Sequence, residues 1–173
     1  MLKKLGKSIF IYGIASSIGK FVGLFFVPIY TRIFSSEEYG IIDLISVTIS
    51  FVCILGILQL ESAISRYYYA SKDEKERNTR ISTAYWTVLI ASSMLSIILI
   101  ILSGFISNFL FDTSKYATII SVASLTLPLM NIFTMYSLII RFLQKPVQYT
   151  FIVVAQLLVT VVISILLVVY LDK

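Results

Sequence analysis

Ser8, Tyr12, Ser16 and Lys20 recur at every fourth position of the first apolar stretch, so they line one face of a helix. Lys20 is the only charge between Ser8 and Ile29. A lysine near the middle of a bilayer helix costs about 2.5–3.5 kcal/mol on insertion scales, so it is expected to face a protein interior or a watery cavity. The chemistry that such a residue offers is recognition of an anion. Ala15, Gly19 and Gly23 run beside this face as a small-residue stripe, which predicts close packing of another helix. Tyr12, Ser16 and Lys20 are therefore candidate cavity residues.

Further polar residues share faces in later stretches. Asp43, Ser46 and Ser50 fall together, as do Gln59, Ser62 and Arg66. Asn131 and Thr134 follow Pro128, and Gln156, Thr160 and Ser164 repeat at helical spacing. Two accounts stand open for them. Each stripe alone fits interhelical hydrogen bonding, often well under about 2 kcal/mol per contact. Taken together they fit equally well a shared cavity lined by Lys20, Arg66, Asn131 and Gln156. Pro28 and Pro128 are hinge candidates, because each removes a backbone donor and loosens its helix.

Catalysis is not expected. The chain has no histidine, no serine–histidine or cysteine–histidine pair, and no glycine-rich phosphate loop. Cys53 is the single cysteine, which excludes an intrachain disulfide and a thiolate metal site. No metal and no cofactor are expected. The net charge of +5 is carried mainly by short loops between apolar runs, so it argues for membrane orientation and against a nucleic-acid partner.

The elements that must position these residues follow from hydropathy. The 173 residues are 58% hydrophobic and 13% charged, with a mean hydropathy of +0.96. Uncharged runs of about 20 residues suffice to cross a hydrocarbon core about 30 Å thick. The apolar runs do not alternate, which argues against barrel strands. The pattern predicts an all-α polytopic membrane protein, a single transmembrane domain over 1–173 with about five spans at 8–33, 38–69, 81–103, 116–143 and 147–171. Ser35 and Glu38 have capping-box spacing for the second span. Residues 71–80 read as a hydrophilic loop, 105–111 as an interfacial segment, and the third span, Ser92, Ser93 and Ser96 aside, as the most lipid-like. The first apolar run is too long for a secretory signal peptide, so it is expected to remain in the protein.

Lys3, Lys4, Lys7, Lys72, Lys75, Arg77, Arg80, Arg141 and Lys145 fall on one side of this arrangement, against Arg32, Lys115 and Lys173 on the other. The positive-inside rule places the N-terminus in the cytoplasm. Tyr67, Tyr68, Tyr69, Tyr85 and Trp86 flank the charged loop as interfacial anchors would, with substrate stacking as the second reading.

Two stretches resemble a known family. Pro28-Ile29-Tyr30-Thr31-Arg32-Ile33-Phe34-Ser35-Ser36-Glu37-Glu38-Tyr39-Gly40 is similar to the segment joining the first two helices of bacterial polysaccharide flippases of the O-antigen type. Leu60-Glu61-Ser62-Ala63-Ile64-Ser65-Arg66-Tyr67-Tyr68 is similar to the end of their second helix. These proteins belong to the multidrug/oligosaccharidyl-lipid/polysaccharide exporter superfamily, in which two six-helix bundles enclose a cavity and work by alternating access. The resemblance implies transport of undecaprenyl-pyrophosphate-linked repeat units across the bacterial cytoplasmic membrane, for lipopolysaccharide O-antigen and related surface polysaccharides. It assigns Lys20 and Arg66 to the pyrophosphate. Five spans are fewer than half of the family's complement, so the chain resembles an N-terminal portion, to be completed by a second chain or by a homo-oligomer. The bilayer and the lipid-linked oligosaccharide are the implied partners. A drug/cation antiporter of the same superfamily is an alternative that needs a buried carboxylate, for which only Asp43 and Glu61 are available. A non-transporting membrane scaffold is the other alternative.

Overall fold

A computed structural model describes residues 31–58, 60–70 and 73–171, together with Gly13, Ser17, Leu24, Val27 and Pro28; for 69 and 164–171 it describes the backbone alone. Among the described residues, six helices follow Ser35: α1 (Ser36–Ile57), α2 (Leu60–Ala70), α3 (Glu74–Phe111), α4 (Ala117–Ser124), α5 (Thr126–Phe142) and α6 (Pro146–Leu171). No strand occurs among the described residues. Four helical stretches, Ser36–Tyr68, Glu74–Phe111, Ala117–Phe142 and Pro146–Ile163, are long and apolar enough to cross a membrane. The chain is an all-α polytopic membrane protein. Its surface agrees: Ile101, Phe105 and Phe109 are 75%, 70% and 79% exposed, which is stable only where the surrounding solvent is hydrocarbon. The first expected span lies mostly outside the described residues.

The chain divides into two compact units, one of Glu37–Phe142 and one of Met1–Ser36 with Leu143–Lys173. In the second of these, α6 starts at Pro146, where a missing N–H is harmless because a first-turn donor has no helical partner. Thr150 and Thr160 turn their hydroxyls back onto the carbonyls of Pro146 and Gln156, at 3.0 and 2.9 Å.

Within Glu37–Phe142, hydropathy alone misplaces four boundaries. The expected span 38–69 is broken: Leu58 adopts a left-handed φ of 53°, and its N–H closes onto the Leu55 carbonyl at 3.2 Å. A leucine there costs about 1–2 kcal/mol, which hydropathy cannot register. From Glu74 on, the expected loop 71–80 is the opening of α3. Asp73 caps it by accepting from the Lys75 N–H at 3.2 Å, and Glu74 and Glu76 suit the positive end of the helix dipole. Glu76 pairs with Arg80 one turn on. The expected interfacial segment 105–111 is also part of α3, which runs 38 residues until Asp112 turns left-handed and donates to the Asn108 carbonyl at 3.0 Å.

The fourth boundary is the interruption at Leu125 within the expected span 116–143. Pro128 has no N–H to offer the Ser124 carbonyl four residues before it. Ser96 of α3 supplies the donor instead, with its Oγ 2.7 Å from that carbonyl.

Nor is α3 the lipid-like helix of the sequence reading. It packs against α2, α4 and α5, and buries Ser92, Ser96, Ser103 and Ser107 on its inner face. Small residues let backbones approach closely where no hydrophobic force separates lipid from protein. Around this seam lie two apolar clusters. One holds Ile45, Ile49, Leu99, Ile120 and Leu127. The other holds Ile64, Ala84, Val88 and Met135.

Candidate anion-binding groove

Helix α2 carries Glu61, Ser62, Ser65 and Arg66 on one side, and α5 ends in Leu138, Arg141 and Phe142. These residues together line a groove of about 440 Å³. The end of α5 is held beside α2 by Phe142, whose ring stacks on Tyr68 at 5.3 Å. Since α2 closes and α3 opens close by in sequence, the groove belongs to the end of this unit that also carries Lys75, Arg77 and Arg80. At the opposite end, Ser107 accepts from the Tyr116 N–H (3.2 Å) and donates to the Thr113 carbonyl (2.6 Å), fastening the turn before α4.

Two guanidinium groups and one carboxylate face the groove, so it is cationic on balance. Arg66 and Arg141 are exposed, while Glu61 is half-buried. A guanidinium presents its donors as a planar fork that matches two oxygens of a phosphate. Two such forks, from different helices and flanked by serine hydroxyls, can engage a phosphate or pyrophosphate.

The sequence-predicted residues fall in several places. Arg66 lies in the groove. In the sequence Arg141 is only a charge at the end of a span, and what hints at its meeting with Arg66 is that both fall near the ends of their spans next to the basic loops. Asn131 is buried between helices: its Oδ1 accepts from the Cys53 thiol at 2.8 Å, and its Nδ2 has no hydrogen-bond partner among the described residues. A methyl group added at Gly56 would come within 2.5 Å of that Nδ2 and 3.3 Å of the Ser92 Cβ, so α1 meets this amide with bare backbone. Tyr12, Ser16 and Lys20 lie outside the described residues. Gln156 is exposed on α6. Pro28 is helical, and its carbonyl accepts from the Thr31 hydroxyl at 3.3 Å. Pro128 accompanies the interruption between α4 and α5. Asp43 is exposed on α1, and Ser46 and Ser50 donate to the carbonyls of Ile42 and Ser46, both at 2.7 Å.

The aromatic residues beside the charged helix start also have partners. The Arg80 guanidinium lies 5.0 Å over the Tyr67 ring, and that of Arg77 lies 5.4 Å over Tyr68.

No curated protein and no solved structure matches the chain. A family model described as polysaccharide biosynthesis protein matches residues 5–172.

Proposed function

The chain belongs to the polysaccharide biosynthesis protein family, and from that premise we propose that it is a flippase, or the N-terminal portion of one. Its cargo is an undecaprenyl-pyrophosphate-linked oligosaccharide, moved across the bacterial cytoplasmic membrane to build O-antigen or a related surface polysaccharide. The observation that carries this reading is the meeting of Arg66 and Arg141, from two helices, in one groove at the basic end of a membrane-spanning unit.

In this reading the basic end faces the cytoplasm, with the N-terminus on the same side. A lipid pyrophosphate is most costly to move where the dielectric is low, and fixed guanidinium groups offset part of that desolvation. Arg66 and Arg141 meet the headgroup at the cytoplasmic face, and Lys20, by its place in the sequence, serves it deeper in the membrane. The protein performs no bond chemistry on its cargo. Alternating access needs a second wall, supplied by a further bundle, a partner chain or a second copy.

The test is complementation of a strain lacking its own flippase, with surface polysaccharide as the readout and membrane insertion checked by immunoblot. R66Q/R141Q is expected to lower export at least about tenfold, as the loss of charge-assisted bonds to a phosphate should. K20L is expected to do the same. Normal export by both variants would refute the proposal and favour a non-transporting scaffold.

A further inference from the structure

A second groove, of about 460 Å³, opens on the other side of α2, against α3. Its floor includes Ile64 and Ala84 of the second apolar cluster. Its α3 wall carries Thr79, Thr83 and Thr87 at successive turns, each hydroxyl donating to the carbonyl four residues earlier at 2.9 Å. With those donors satisfied by the helix itself, the lining is predominantly apolar. The rim is different. Arg77 and Arg80 stand there over Tyr68 and Tyr67, and the buried Nε of Arg77 has no hydrogen-bond partner among the described residues. Arg80 also pairs with Glu76.

We propose that this groove binds an anionic phospholipid, with its phosphate at Arg77 and Arg80 and an acyl chain along the threonine wall. The site is apolar within and cationic at its edge, and an anionic lipid carries the same two parts in the same order. A soluble anion would leave the apolar wall uncovered. A zwitterionic lipid would bring its own cation against the arginines. Basic pockets between helices at the cytoplasmic side of a membrane are suited to such headgroups. The tyrosine faces hold both guanidinium groups in place before the lipid arrives, which lessens the ordering cost of binding.

Trp86, the only tryptophan of the chain, is exposed on α3 next in sequence to Thr87 of the groove wall, and serves as the probe. The full chain is reconstituted in vesicles of phosphatidylcholine and phosphatidylglycerol, with one or the other brominated, and quenching of Trp86 gives their relative binding constant. Phosphatidylglycerol is expected to be preferred by about fivefold per engaged arginine. R77Q/R80Q should bring the ratio to one, with helicity by circular dichroism unchanged, and R77K/R80K should retain part of the preference. R66Q/R141Q should leave the ratio as it is. A ratio of one in the unaltered protein would overturn the proposal, as would an equal loss in R66Q/R141Q, which would mean diffuse attraction to a basic surface. Loss of the preference in excess inorganic phosphate, at matched ionic strength, would make this a soluble-anion site and overturn it too. None of these readouts depends on export, so this proposal and the flippase reading fail separately.

Discussion

Gly56 and Asn131 define one tight contact between residues far apart in sequence. A methyl at Gly56 would press on the Asn131 Nδ2 within 2.5 Å and on Ser92 at 3.3 Å. G56A is therefore expected to lower stability by about 1–3 kcal/mol, the usual cost of overpacking. Because the closest atom belongs to Asn131, N131A should return part of that loss. A double-mutant cycle on thermal unfolding in detergent measures the coupling, and strict additivity would refute the contact. Sequence reading picked out Asn131 as polar and inward-facing. It could not see that the amide meets Cys53 and Gly56, since this depends on where α1 crosses α5.

At the scale of the element, the joint between α4 and α5 joins a proline to a serine on another helix. Ser96 donates to the Ser124 carbonyl that Pro128 cannot serve. S96A should cost about 1 kcal/mol, as loss of a buried hydrogen bond does. In a P128A background the restored backbone N–H becomes available to that carbonyl, so S96A should then cost much less. If S96A costs the same in both backgrounds, the pairing of Ser96 with Pro128 is wrong. Amide exchange around Leu125 should follow the same pattern, fastest in S96A and slowest in P128A. The proline itself was legible as a breaker. Its serine partner was not, because Ser92, Ser93 and Ser96 look like incidental polarity in an apolar run until the register of α3 is known. The charged residues after Asp73 misled for the opposite reason. Charge density suggested a loop, whereas the cap and the i,i+4 pair make those residues a good helix start.

Across the whole molecule, hydropathy read the membrane class correctly and misread where helices stop, while the first of its five expected spans lies mostly outside the described residues. Helix α3, at 1.5 Å per residue, is about 57 Å long, well beyond a hydrocarbon core of about 30 Å. Its first turns, from Glu74 to Arg80, are charged, so this is the end expected to stand in cytoplasmic water, with Ser114 beyond its other end. In a C53S background, K75C should react with a membrane-impermeant maleimide only after cells are opened, and S114C should react in intact cells. The reverse pattern would invert the proposed orientation. The groove was legible in part: Arg66 came from the sequence, while Arg141 needed the fold to bring α5 beside α2. The buried serines of α3 have one more consequence, for how the sequence can change over time. Where lipid and protein interior are equally apolar, polarity exerts little selection along this helix, and side-chain volume exerts a great deal. A scan of all substitutions should make α3 read as a ruler. Ser92 and Ser103 would accept glycine or alanine and reject leucine, Ser96 and Ser107 would be the exceptions kept by their hydrogen bonds to the Ser124 and Thr113 carbonyls, and Ile97, Ile101, Phe105 and Phe109 would exchange freely among large apolar residues.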